Sequence, residues 1–199
     1  MVTIGEAAGR ARRDGIGWLT AYAIAMAQVE AALVIYLRRL YYADDPLTLF
    51  PLTMMPNPDL ATEVARELAT IVMIAGVAFL HAKRGTRVFA AFLYVFGLWD
   101  IAYYGWLKLM LGWPTSWLEW DVLFLIPWPL LGPWLAAIAS AAGAAIVVGT
   151  FLLPGWPFVT GTVPNAGYRP AGFRWEAFAL GHAVMTAGLF AIGPPRRRT

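Results

Sequence analysis

The chain has 199 residues, of which 60% are hydrophobic and only 14% charged, with a mean hydropathy of +0.61 and a formal net charge of +3. Soluble domains carry about 25% charged residues, so this composition excludes a soluble domain, a disordered chain and a coiled coil. It indicates a multi-pass integral membrane protein. The small charge, spread over scattered arginines, predicts no nucleic-acid partner, and the absence of cysteine excludes disulfides and thiolate metal sites.

Three apolar runs in the first part of the chain are long enough to cross a bilayer. A hydrocarbon core about 30 Å thick needs about 20 mostly apolar residues per helix, and residues 16–37, 60–82 and 88–111 each meet that need. The first run begins like a signal peptide but is longer than a secretory apolar region, so we interpret it as a retained helix. Residues 40–57 carry three prolines among apolar side chains, which predicts a segment lying in the membrane interface. Asp59 is the predicted N-cap of the second helix.

Prolines divide the second half of the chain. The apolar run after Asp121 is only five residues long before Pro127 and Pro129, so we interpret residues 121–130 as a half-helix or re-entrant turn that does not cross. Further crossings are predicted over residues 131–153 and 175–192. The sequence therefore predicts an all-α fold, a single transmembrane domain over residues 1–199 with about five transmembrane helices and one Pro-rich re-entrant segment. We place the N-terminus inside. With five crossings, the basic residues are then spread almost evenly over the two sides of the membrane, so their distribution does not favour either orientation.

Four carboxylates are predicted to lie in the same half of the membrane. Successive helices alternate in direction and rise about 1.5 Å per residue, which brings together Glu30, Glu67, Asp100 and Asp121. An acid inside a crossing costs at least about 2.5 kcal/mol on insertion scales. Four of them together need a cation, shared protons or arginine partners. Oxygen-only ligands suit hard divalent cations.

Two readings of this cluster remain open. Tyr103 and Tyr104 lie on the helix face of Asp100, where their hydroxyl groups can support a structural carboxylate or line a polar path. Arg66, with Arg38 or Arg39, is expected at the same membrane face, so interfacial ion pairs explain the acids equally well.

Two histidines form a second candidate pair. His81 ends the second crossing, and His182 lies partway into the last, which starts from the same side. Histidines on separate helices can ligate a metal or the iron of a haem. Histidine also joins helices by hydrogen bonds, and we weight that role above haem ligation.

Three classes of function follow from these features. The first is a small transporter or channel in which the four carboxylates bind or relay a cation or protons. The second is a membrane-embedded metal or haem enzyme. The third is a non-catalytic subunit of a larger membrane complex or a homo-oligomer in the lipid bilayer. The sequence contains no GxxxxGK[ST], HExxH, GxSxG or GxGxxG motif, so common nucleotide-binding, zinc-protease and hydrolase signatures support none of them.

Overall fold

A computed structural model describes residues 4–83, 85–126 and 130–143, together with residues 175, 176 and 179. The described chain is mostly helical. Its elements in order are helices α1 (Ile4–Tyr41), α2 (Asn57–His81) and α3 (Gly85–Leu111), strands β1 (Trp120–Phe124) and β2 (Leu130–Pro133), and helix α4 (Trp134–Gly143).

Within the described part of the chain, three helices are long and apolar enough to cross a membrane, over Gly15–Tyr41, Asn57–His81 and Gly85–Leu111. Each agrees with a predicted run to within a few residues, because the apolar stretch and the breaks at its ends determine the length of a membrane helix. The fold is thus a helical, membrane-type architecture. The predicted start of the fourth crossing is wrong, because residues 131–133 pair as part of β2, and its helix is described only over Trp134–Gly143. The predicted fifth crossing lies outside the described residues except at 175, 176 and 179.

The ends of the helices differ in part from the prediction. Asp59 is wrong as the N-cap of α2, because that position is taken by Pro56 without a side-chain cap, and Asp59 lies in the first turn. There it accepts a hydrogen bond from the Tyr41 hydroxyl instead. Helix α3 ends at Leu111 and is followed by Gly112, whose φ of +83° is a left-handed conformation that favours glycine. Lys108 donates to the carbonyl oxygens of Gly112 and Pro114, at 3.0 and 2.8 Å.

Helix α3 is the central helix and packs against α1, α2 and α4. Ala23, Ala27 and Ala31 of α1 are fully buried at four-residue spacing, and such small side chains let membrane helices approach closely. The buried apolar residues form two clusters. One joins the first half of α1 to the ends of α2 and α3 that lie beside His81, and the other joins the second half of α1 to the end of α3, Trp113 and α4.

An antiparallel hairpin replaces the predicted half-helix. Asp121 pairs with Gly132 and Val122 with Leu131, and the register shifts between Val122 and Phe124. The half-helix interpretation is therefore wrong for these residues. Branched and aromatic side chains favour strands, and pairing between two strands satisfies backbone groups that a five-residue helix leaves exposed. A strand of five residues extends about 17 Å, less than a bilayer core.

Candidate functional site

The four predicted carboxylates line the same cavity, which has a volume of about 200 Å³. They are buried, with no more than 9% of any of them exposed: Glu30, Glu67, Asp100 and Asp121. Helices α1, α2 and α3 supply one acid each and strand β1 supplies the fourth. The cavity lies between the two apolar clusters. Tyr103 and Tyr104 also line it.

Glu30 is held by α2 from across the cavity. Its carboxylate forms an ion pair with Arg66, and it accepts a hydrogen bond of 2.5 Å from the Thr70 hydroxyl. Arg66 also makes two contacts with Glu63, at 2.9 and 2.5 Å. Glu63 and Thr70 are three residues before and four residues after Arg66, so the three side chains share one face of α2. Thr70 was not among the predicted site residues, although its spacing from Arg66 is visible in the sequence.

Asp121 is held by α1 and α3. Arg38 donates to one carboxylate oxygen at 3.2 Å and the Tyr104 hydroxyl donates to the other, also at 3.2 Å. The Arg38 guanidinium in turn lies 3.9 Å from the centre of the Trp113 ring. Burial raises the pKa of the Asp121 carboxyl above its usual value, and the positive charge of Arg38 opposes that rise.

Glu67 anchors the hairpin to α2. The backbone N–H of Leu125 donates to both of its carboxylate oxygens, at 3.2 and 2.9 Å. The carboxylate therefore satisfies a backbone donor just beyond β1, at the point where the chain leaves the strand.

Asp100 differs from the other three acids. It is 7% exposed, and its Oδ2 atom has no hydrogen-bond partner among the side chains and backbone that the structure describes. The side chains of Trp99, Tyr103 and Phe124 form an aromatic wall of the same cavity. Trp99 stacks on Tyr103 with ring centroids 6.3 Å apart and meets Phe124 at 6.4 Å.

Among the described residues, the charges that line the cavity do not balance. Within this part of the chain five carboxylates line it, the fifth being Glu63, against two guanidinium groups, Arg38 and Arg66. Both guanidinium groups already contact acids of the cavity. With every group ionised, the lining would be negative, and a proton or a cation would relieve that excess.

The segment between α1 and α2, which was predicted to lie in the membrane interface and is called the interfacial segment below, lines part of the cavity. Leu49, Leu52, Met54 and Met55 line it from this segment. Contacts with its own ends hold the segment in place: the Tyr42 hydroxyl accepts from the backbone N–H of Thr53 at 2.8 Å. Asp45 accepts from Thr48 and from the backbone of Leu47, and these hydrogen bonds lower the pKa of its carboxyl. The apolar side chains that predicted an interfacial position therefore face the site.

His81 lies away from the acids. It is exposed at the end of α2, and its ring packs so closely on Gly15 that a Cβ there would come within 2.9 Å of Cε1. Gly15 begins the membrane-length part of α1, about four turns before Glu30. His182 lies outside the described residues, so the pairing of the two histidines stays a prediction. In the described part of the chain no three histidine or acidic side chains converge as metal ligands.

Comparison with protein families, curated proteins and solved structures found no match to this chain.

Proposed function

We propose that the protein is a small membrane transporter or channel in which Glu30, Glu67, Asp100 and Asp121 bind or relay a cation or protons. The observation that carries this proposal is Asp100, whose Oδ2 atom is buried in the cavity wall without a partner among the described residues. An ionised carboxylate without a partner is strongly disfavoured in an apolar environment. A bound cation or a transferable proton removes that cost.

The tyrosines extend the acid cluster toward a proton path. The Tyr104 hydroxyl donates to Asp121. The rings of Tyr103 and Tyr104 are in contact, with their centroids 5.0 Å apart. A hydroxyl both donates and accepts hydrogen bonds, so a proton can pass between carboxylates through such groups. Arg38 and Arg66 hold two of the acids in position in this arrangement.

The proposal includes the full predicted topology. We propose five crossings, with the β1–β2 hairpin entering the membrane from the side of the interfacial segment and returning to it. Irregular backbone at membrane depth is tolerated where protein covers it or where it lines a cavity, and broken elements of this kind often form the substrate sites of transporters. Leu131 of the hairpin lines the cavity together with β1.

A second candidate function is a non-catalytic subunit of a larger membrane complex or a homo-oligomer. Two ion pairs support it because they tie the described elements together as structural contacts do: Arg66 with Glu30, in which the arginine is half-buried, and Arg38 with Asp121, which is buried. Helix α2 also exposes Leu68, Val72 and Phe79, a face that lipid or a partner helix can cover. No observation on the described residues favours a metal or haem enzyme.

Ion flux across vesicles tests the proposed function. The purified protein is reconstituted into sealed vesicles containing a pH-sensitive dye, and proton movement is followed under imposed pH, Na⁺ and K⁺ gradients. We expect Asp100→Asn to lower the flux by at least about tenfold, because a neutral amide holds neither the charge nor the proton. Glu30→Gln is expected to lower it as well.

Asp44→Asn is the matched control, since Asp44 is an exposed acid in the interfacial segment, and its flux should equal that of the unchanged protein. Elution profiles in detergent confirm that each variant remains folded. Equal flux for Asp100→Asn and the unchanged protein would rule out the proposal, and other chains that co-purify stoichiometrically would favour the subunit.

A further inference from the structure

We propose that the cavity binds a small organic ammonium ion, with its charged head at Asp100 against the aromatic wall and its apolar body against the interfacial segment. The inference rests on the cation site of the proposed function and names the chemical class of the cation.

The surroundings of Asp100 match an organic head group. An ammonium ion is attracted both to a carboxylate and to the faces of Trp, Tyr and Phe rings, within about 6 Å of the ring centre. The cavity lining contains the Oδ2 of Asp100, which has no partner among the described residues, together with the rings of Trp99, Tyr103 and Phe124. A bare divalent cation instead takes about six or more oxygen ligands, and rings supply none.

Another part of the lining matches an apolar body. It consists of Leu37 of α1 and of four side chains of the interfacial segment, Leu49, Leu52, Met54 and Met55. Methionine is flexible and adapts to different apolar shapes. A cavity of about 200 Å³ is smaller than the roughly 300 Å³ at which sites for drug-sized ligands begin. We therefore expect a small amphiphile, such as an arylalkyl or alkyl amine, rather than a multi-ring ligand.

The sign of the ligand's charge follows from the partners of the two arginines. Arg38 is engaged by Asp121 and by the Trp113 ring. Arg66 is shared between Glu30 and Glu63. An anionic ligand would have to displace a carboxylate from a guanidinium group, whereas a cation meets Asp100 directly. The site therefore selects cations over anions of the same shape.

Calorimetric binding to the detergent-solubilised full chain tests this inference. The probe is phenethylammonium, compared with 3-phenylpropionate and 3-phenylpropanol, which have a similar ring and chain but an anionic or neutral head. We expect binding of the ammonium only, and a loss of at least about tenfold in affinity in Asp100→Asn, with Asp44→Asn unchanged. Equal binding of the anion or the alcohol, or unchanged affinity in Asp100→Asn, would overturn it.

A pair of variants at Tyr103 tests the site independently, in case Asp100→Asn does not fold. Tyr103→Phe keeps the ring face, whereas Tyr103→Leu removes it. We expect Tyr103→Leu to bind phenethylammonium about three- to tenfold more weakly than Tyr103→Phe. Equal affinities for these two variants would contradict a role for the aromatic wall.

Vesicle composition then distinguishes a soluble amine from a lipid head group. The measurement is repeated in vesicles of phosphatidylglycerol alone and in vesicles that also contain phosphatidylethanolamine. A weaker apparent affinity with phosphatidylethanolamine identifies the lipid ammonium as the ligand, and equal affinities identify a soluble amine. Asp100-dependent binding without flux would reject the transport proposal and keep this site. Asp100-dependent flux without ammonium binding would reject this ligand class alone.

Discussion

The contact between Arg38 and Asp121 joins a membrane helix to the hairpin inside the apolar part of the protein. The two side chains are 3% and 5% exposed, and the nitrogen–oxygen distance is 3.2 Å. Replacing such a pair with apolar groups can be harmless, but removing one partner leaves an uncompensated buried charge, at a cost of about 3–5 kcal/mol. We therefore expect a single substitution in this pair to destabilise the protein more than a double substitution that removes both charges.

We expect Arg38→Met to destabilise the protein in a pH-dependent way. Burial raises the pKa of Asp121 and Arg38 opposes the rise, so losing Arg38 raises that pKa further. When the pKa of a carboxyl is higher in the folded than in the unfolded chain, its ionisation lowers the free energy of unfolding at pH values above the folded-state pKa. This loss disappears as the pH falls below the unfolded-state pKa. The free energy of unfolding in detergent should therefore drop by about 3–5 kcal/mol at pH 8 and recover toward pH 4.

The double substitution Arg38→Met with Asp121→Leu is the control for this prediction. It removes both charges, so its stability should exceed that of Arg38→Met at pH 8 and should not recover on acidification. A loss in Arg38→Met that is the same at pH 8 and pH 4 would show that packing of the arginine on Trp113, not its charge, is what matters.

At the scale of residues, the sequence predicted which acids are neighbours but not how they pair. The rise per residue of a helix is constant, so alternating helix directions predicted that Glu30 and Asp100 lie near each other, and both line the cavity. Which side chains meet depends on how each helix is rotated about its axis, and no local pattern determines that. The pairing of Glu30 with Arg66 and Thr70 followed only from the packing of α1, α2 and α3.

At the scale of elements, the hairpin is attached to all three long helices. Arg38 of α1 and Tyr104 of α3 bind Asp121 at its start, and Glu67 of α2 binds the backbone of Leu125 at the end of β1. Asp121 and Glu67 therefore position the hairpin as well as lining the cavity. Their hydrogen bonds offset part of the cost of burying these two carboxylates.

We expect Glu67→Leu to loosen the end of β1. The Leu125 amide loses both acceptor oxygens, and a hydrogen bond of this kind contributes about 1 kcal/mol, so its hydrogen exchange should accelerate about five- to tenfold. Mass spectrometry of the peptide that carries Leu125 measures the rate. Glu67→Gln keeps one acceptor oxygen and should exchange nearly as slowly as the unchanged protein. Equal rates for the two variants would contradict an anchoring role.

The elements that the sequence predicted well were the long ones. An apolar run of more than 20 residues has one stable form in a bilayer, so α1, α2 and α3 followed directly. The short run after Asp121 was ambiguous, because five apolar residues between turn signals fit a buried strand as well as a piece of helix. Only the pairing of Val122 with Leu131 decided between them.

At the scale of the whole molecule, the order of the crossings determines which loops share a side of the membrane. With α1, α2 and α3 all crossing, the interfacial segment and the loop after α3 lie on one side and the loop after α2 lies on the other. Asp44, Lys83 and Ser116 are exposed in these three loops. The proposed five crossings add that the C-terminal tail returns to the side of Asp44, whereas a sixth crossing would place it with Lys83.

Labelling of single introduced cysteines tests the order of the crossings, because the chain contains no cysteine of its own. In sealed vesicles of uniform orientation, we expect Asp44→Cys and Ser116→Cys to react alike with a membrane-impermeant maleimide. Lys83→Cys should behave in the opposite way. Whichever side is enclosed should react only after the vesicles are opened. Labelling of Lys83→Cys together with Asp44→Cys would rule out α2 as a crossing. Thr199→Cys should label with Asp44→Cys, since a hairpin that enters and leaves by one face leaves an odd number of crossings. If it labels with Lys83→Cys, the total number of crossings is even, which would rule out the five crossings proposed.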